Sequence, residues 1–257
     1  MKPASNPKAG IHPSIREVSS QRVFIFAESR SGSTWLTRTL GSHPAIGMLE
    51  EVFNPDYSKQ LRPANTPDTG ENILFSLERQ LEPLTTPLKG CKILYPQAVR
   101  FLDLYEFILN YPDARYILLY RENSLRAEIS GLIANQYQTW HRSDPAEIMQ
   151  VEVDPAYLHE RLLWRKHSRD FCFAMIGSFC PKVIQVEYSE LFGNQSSHLE
   201  LIARFLSCDS EGFIPDTEEK SNPFLLENVI TNYTECRTWF KDLPWIATLF
   251  ANDDPAL

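Results

Sequence analysis

Eight residues, ESRSGSTW from Glu28 to Trp35, concentrate the chemistry of this sequence. An apolar run at 22–27 (RVFIFA) precedes them, and a helical pattern at 34–40 (TWLTRTL) follows. In such a strand–turn–helix the turn's backbone N–H groups point inward and the helix N-terminus adds partial positive charge, so the unit cradles an anion. Gly32 lets the backbone come close to an oxygen. Ser31, Ser33 and Thr34 offer hydroxyl donors, and Arg30 offers a permanent charge. A plain turn with serines capping a helix accounts for the hydroxyls, but not for an arginine at its mouth. The turn is not a Walker loop, because Ser33 follows Gly32 where that motif needs a lysine. Nor is it a nucleophile elbow, since no glycine pair flanks Ser31 or Ser33 at that spacing.

A second strand–turn–helix reading covers 115–134, RYILLYRENSLRAEISGLIA. Arg121 ends the strand and Ser130 lies on the helix, with eight residues between them. A guanidinium that binds through two N–H groups, together with a hydroxyl, suits a phosphate. Local capping and a small residue at a helix contact are the plainer alternatives. Arg126, one turn before Ser130, reads as a solvated helix arginine. Glu50 and Glu51 fall in GMLEEVFN, just after the first helix, and a carboxylate beside a basic loop is suited to take a hydroxyl proton. They also read as two solvated loop acids. His43 is another candidate base, but it stands between Ser42 and Pro44, where it caps or packs. Lys92 begins a strand in GCKILY and reads otherwise as a snorkelling edge lysine; Gln97 follows it as a possible acceptor contact.

These residues need a scaffold. Strands are expected at 22–27, 91–94, 115–120 and 182–186, and helices at 34–40, 72–81, 101–110, 123–140, 155–177 and 197–206. A further helical stretch from 227 to about 250 breaks near Pro244. Residues 52–70, with three prolines, read as a long loop, and 208–224 as polar and irregular. Strands alternating with helices predict one α/β domain, a mainly parallel central sheet flanked by helices, over 21–257. Residues 1–20 read as a flexible tail.

Composition narrows the classes. The chain has 257 residues, 43% hydrophobic and 23% charged, as expected of an ordinary globular protein. Lys and Arg number 25 against 33 Asp and Glu, a net charge of −8, which disfavours nucleic acid as a partner. Five cysteines, at 91, 172, 180, 208 and 236, form no C-x-x-C pair. That predicts free thiols in a reducing, cytoplasmic setting and no metal site. No apolar run reaches the roughly 18 residues of a membrane span, and oligomeric state is not legible.

The stretch RSGSTWL, Arg30 to Leu36, resembles the 5′-phosphosulfate loop of sulfotransferases that use 3′-phosphoadenosine 5′-phosphosulfate (PAPS). Many members carry a lysine where this chain has Arg30. The arginine form is similar to bacterial carbohydrate sulfotransferases of the nodulation-factor and trehalose type. The resemblance implies that Arg30, Ser31, Gly32, Ser33 and Thr34 hold the phosphosulfate, with Trp35 near the adenine. It implies that Arg121 and Ser130 bind the 3′-phosphate, at a spacing like that of the bacterial group. VIQVEYSELF, 183–192, resembles the family's strand ending in tyrosine, which puts Tyr188 near the adenine, although a strand-end packing tyrosine would look the same. KSNP, 220–223, resembles its C-terminal segment, with Lys220 reaching the 3′-phosphate. Glu51 matches the bacterial group's general base, with Glu50 and His43 left open, and Lys92 matches a lysine that touches the transferring group. The expectation is sulfuryl transfer from PAPS to a hydroxyl of a carbohydrate or small metabolite, without metal. The competing expectations are a P-loop-type nucleotide kinase or NTPase and a non-catalytic adenosine-phosphate binding module.

Overall fold

The structure is a computed structural model that describes residues 21–53, 73–138, 148–217 and 224–253. The expected tail at 1–20, most of the expected loop, Lys220 and the end of the helix expected to reach Trp140 lie outside the described residues.

Five parallel strands form one sheet in the order β2-β3-β1-β4-β5. They are β1 (Gln21–Ala27), β2 (Ile46–Glu51), β3 (Leu88–Leu94), β4 (Arg115–Tyr120) and β5 (Val183–Glu187). β1 lies at the centre, paired with β3 on one side and β4 on the other. Its run is apolar throughout because both faces are covered. Val23, Ile25 and Ala27 face a core built with α1 (Ser33–Gly41), whose Trp35, Leu36 and Leu40 are buried. Phe24 and Phe26 face the opposite core, built with α2 (Ile73–Leu81), α3 (Tyr95–Phe101), α4 (Leu104–Asn110) and α6 (Pro155–Phe179). Beyond β5 come α7 (Tyr188–Gly193) and α8 (Gln195–Leu206). A third cluster joins α5 (Ser124–Tyr137) and α6 to the short helices α9 (Leu226–Val229), α10 (Tyr233–Trp239) and α11 (Pro244–Ala251).

Several elements depart from expectation. β2 was not foreseen, because IGMLEE ends in two charged residues instead of reading as a buried run. α3 was missed as well; it starts directly at the end of β3, with Pro96 in its first turn. The helix expected over 101–110 is split, since α3 ends at Phe101 and Asp103 caps α4 by accepting from the Glu106 N–H. The stretch from 227 to 250 is three short helices. Among the described residues no helix is long and apolar enough to cross a membrane, and no group of three His, Cys, Asp or Glu side chains is placed to hold a metal ion.

Candidate functional site

Crevices at the carboxyl ends of parallel strands, where successive connections leave in opposite directions, are the ligand sites of open α/β sheets. In this order that point lies beside β1, and the loop from Glu28 to Gly32 emerges there. Arg30 and Gly32 both adopt positive φ, 62° and 73°. Alternation of this kind makes a backbone concavity suited to an anion. Gly32 is the N-cap of α1; no side chain caps that end and no acid stands in its first turn. A Cβ at Gly32 would lie 2.6 Å from the Phe192 ring and 3.1 Å from that of Tyr188, so glycine is required by space as well as by φ.

The loop's side chains divide the work. Ser31 is fully buried and its hydroxyl donates to the Glu28 carbonyl at 2.7 Å, closing the turn. Ser33 is buried, and its carbonyl accepts from the Thr37 hydroxyl at 2.8 Å. Thr34 Oγ1 accepts from Lys92 Nζ at 3.0 Å. Trp35 donates from Nε1 to the Asp216 carbonyl at 2.8 Å, and its ring centroid lies 4.9 Å from that of Phe192.

Lys92, 1% exposed, points to the α1 side of the sheet with Nζ 3.2 Å from Glu51 Oε1. Gln97 accepts the Leu94 N–H through Oε1 at 3.1 Å, which leaves Nε2 to donate to Glu51 Oε2 at 3.2 Å. The carboxylate is thus gripped on both oxygens. A β-bulge decides which of the two glutamates arrives here. Leu49 pairs with Cys91, but Glu51, not Glu50, pairs with Lys92, and bulges re-aim side chains in this way. Glu50 lies 3.0 Å from Arg38 Nε. His43 is not part of the site. It follows the C-terminus of α1, on the order of 15 Å along the helix from the loop, and its Nδ1 accepts the Ala45 N–H at 3.0 Å.

The second segment meets the first. Arg30 Nε donates to Ser130 Oγ at 3.1 Å, across 100 residues of sequence. The Arg121 guanidinium lies 4.3 Å over the Tyr188 ring, and burial holds its pKa below the ordinary arginine value. Burial pushes the Tyr188 hydroxyl up, against the pull of Arg121, Arg126 and Arg30, so arginines from both segments converge on this tyrosine. Arg126 departs from the solvated reading: it is buried, paired with Asp253, and donates to the Phe224 carbonyl at 2.7 Å.

Sequence reasoning missed two groups. Phe192 lies between Tyr188 and Trp35, with its ring 4.6 Å from that of Tyr188. The available signal was its place four residues after Tyr188, on the same helix face. Arg165 of α6 is 4% exposed and donates to the Ser29 carbonyl at 3.2 Å and the Ser29 hydroxyl at 2.8 Å. It also pairs with Glu128, which Arg161 holds at 2.8 Å, and lies 3.7 Å from Glu28. This buried network fixes the base of the loop from behind.

The assembled site can hold an anion on the loop and a second one beside Arg121 and Ser130, with a gripped carboxylate near the first. No protein-family model matches the sequence, and no curated protein matches it. Among solved structures, the chain is similar to a sulfotransferase from Alicyclobacillus acidocaldarius, at 17% identity over 91% of this chain and 96% of that one, with a TM-score of 0.52. It also aligns with mouse sulfotransferase SULT7A1 complexed with PAP, at 15% identity over 77% of this chain and 60% of that one, TM-score 0.47. The sulfotransferase domain of the Synechococcus PCC 7002 olefin synthase aligns at 16% over 86% and 85%, TM-score 0.46. The first likeness establishes a shared fold.

Proposed function

We propose that this protein is a sulfotransferase that moves the sulfuryl group of PAPS to a hydroxyl of a carbohydrate or small metabolite. The observation that carries the reading is the hydrogen bond from Arg30 to Ser130, which joins two segments each suited to a phosphate. PAPS has an anionic group at each end of an adenosine, and two joined anion sites beside Trp35, Tyr188 and Phe192 match that layout. The donor set fits as well: an uncapped helix N-terminus without acids, a glycine whose Cβ position is already filled by aromatic rings, and guanidiniums at both sites.

On this reading the backbone of 31–34, with Arg30 and Thr34, holds the 5′-phosphosulfate, and Arg121 and Ser130 hold the 3′-phosphate. Trp35 and Tyr188 border the adenine. When bound, PAPS supplies the sulfuryl group, and the electron pair of the broken S–O bond leaves with its 5′-phosphate. Arg30 and Lys92 neutralise charge at that end, where preorganised donors are worth most. Glu51 takes the acceptor's hydroxyl proton as the O–S bond forms, and Gln97 keeps its carboxylate aimed. A Lys92 bound to both Thr34 and Glu51 spans the donor loop and the base.

The test is incubation of the chain with PAPS and a panel of hydroxyl acceptors, with mass spectrometry for one added sulfuryl group. The reading expects a sulfated product that needs Arg30 and falls by about 10²–10⁴ in Glu51→Gln. Full transfer by Arg30→Ala would overturn the assigned mechanism. Mg²⁺-dependent ATP turnover would favour a kinase. Nucleotide binding with no acceptor sulfated, and no effect of Glu51→Gln, would leave a binding module.

A further inference from the structure

Beyond the ends of β4 and β5, on the face of the sheet away from α1, a cavity of about 830 Å³ opens between α6 and α11. Its volume is that of a small-molecule site. Tyr120 and Phe173 form its floor, their rings meeting edge to face at 5.5 Å. Thr248, Leu249 and Ala251 of α11 form its roof. The roof is tied down by Asn123, whose amide donates to the carbonyls of Leu249 at 3.0 Å and Asn252 at 3.1 Å, and by the pair of Asp253 with Arg126.

The polar lining is unevenly committed. Glu187 accepts the N–H groups of Glu122 at 3.1 Å, Ser189 at 2.6 Å and Glu190 at 3.0 Å. Asp253 accepts from Arg126 and from the Leu226 N–H. The Thr248 hydroxyl donates to the Pro244 carbonyl at 2.8 Å. Glu122 stands at the rim, exposed to water. The buried acceptors that would recruit a cation are therefore engaged by the chain itself. Arg169 differs. It reaches Glu28 Oε1 with Nη1 at 3.3 Å and has Nε 3.6 Å from Asp170 Oδ1, while its guanidinium lies 6.0 Å from the Tyr120 ring centroid. A guanidinium has five N–H donors in a fixed fork, so this one can meet Glu28 through Nη1 and Asp170 through Nε and still turn Nη2 to an anion.

We propose that this cavity, which meets the nucleotide crevice at Arg121, is a second ligand site and that it takes an amphipathic anion: a flat apolar body against Tyr120 and Phe173, with one carboxylate or sulfonate on Arg169.

The probes are 2-naphthoate and its neutral amide, titrated calorimetrically into the whole chain without nucleotide. The proposal expects naphthoate to bind with a Kd of about 1 mM or tighter, and the amide at least about tenfold more weakly. Thr248→Trp and Gln185→Trp fill the cavity from opposite walls at exposed positions, and each is expected to remove naphthoate binding while the thermal melt stays cooperative. Ala251→Trp replaces either variant that fails to fold. No naphthoate binding, equal binding of acid and amide, or binding that survives both filled variants would overturn the proposal.

Discussion

Glu50 and Glu51 are neighbours of one chemistry, and the backbone between them gives them different fates. The bulge in β2 spends one residue without a partner, so Glu51 reaches Lys92 and Gln97 while Glu50 turns to Arg38. If sulfuryl transfer depends on the gripped carboxylate, Glu51→Gln loses about 10²–10⁴ in kcat and Glu50→Gln keeps kcat within about twofold. Steady-state kinetics on the two variants separates them, and equal losses would refute the assignment. Gly32 carries a second prediction. Alanine there takes on a left-handed backbone, at about 1–2 kcal/mol, and drives a Cβ into Phe192. Gly32→Ala is expected to lower the Tm and to weaken nucleotide binding; unchanged values of both would mean that the loop conformation is wrong. The strand–turn–helix that carries Arg30 and Gly32 was legible in the sequence because its pattern is written in contiguous residues. The choice between Glu50 and Glu51 could not be read from composition or periodicity, because a bulge leaves no trace in a six-residue strand. Arg126 and Arg165 were illegible for a related reason: a buried arginine is recognised by its acidic partners, and Asp253 and Glu128 lie far away in sequence.

At the scale of elements, α6 supports the loop through charge. Arg165 stands between Glu28 and Glu128 with almost no exposure. Arg165→Met removes the cation that Glu28 and Glu128 share, leaving Glu28 to Arg169 and Glu128 to Arg161, and breaking a buried pair costs about 3–5 kcal/mol. Chemical denaturation should show a loss of that size; a loss under about 1 kcal/mol would mean that the network does not hold the loop. The network also sets a pH dependence. Burial raises the Glu28 carboxyl above its ordinary 4.5, although Arg165 and Arg169 pull it down. The folded chain then binds that proton more tightly than the unfolded chain, so this group adds stability as pH falls through its folded pKa towards 4.5. Glu128 has the opposite sign, because the Arg165 and Arg161 interactions outweigh burial and hold it low. Its contribution is present above 4.5 and is lost as pH falls through its folded pKa. Glu28→Gln removes the first effect alone. The Tm of the wild type relative to that variant should therefore rise between pH 7 and pH 4.5, and a difference that is flat or falls would reverse the sign assigned to Glu28. Strands buried on both faces, β1 and β4, were plain in the sequence. β2 was not, because an edge strand that ends in two glutamates carries charge where the pattern expects apolar residues.

At the scale of the molecule, the order β2-β3-β1-β4-β5 puts the anion loop of β1 between Lys92 of β3 and Arg121 at the end of β4. Two segments separated by a hundred residues become neighbours because their strands are neighbours. A chain with net charge −8 thereby gathers arginines into one crevice, and an acidic surface can surround a basic site. The alternation of strands and helices was enough to anticipate a parallel α/β sheet, whereas the strand order, and with it the contact of Arg30 and Ser130, is a property of the fold alone. The central claim is that this crevice holds a nucleotide with a phosphate at each end. Its most direct test is calorimetric titration of the whole chain with 3′-phosphoadenosine 5′-phosphate and with ADP, each without and with Mg²⁺, repeated in Arg121→Ala. The account predicts tight, metal-independent binding that needs the 3′-phosphate and is lost in the variant. Equal or preferred binding of ADP that requires Mg²⁺ would contradict it and make the crevice a kinase-type nucleotide site.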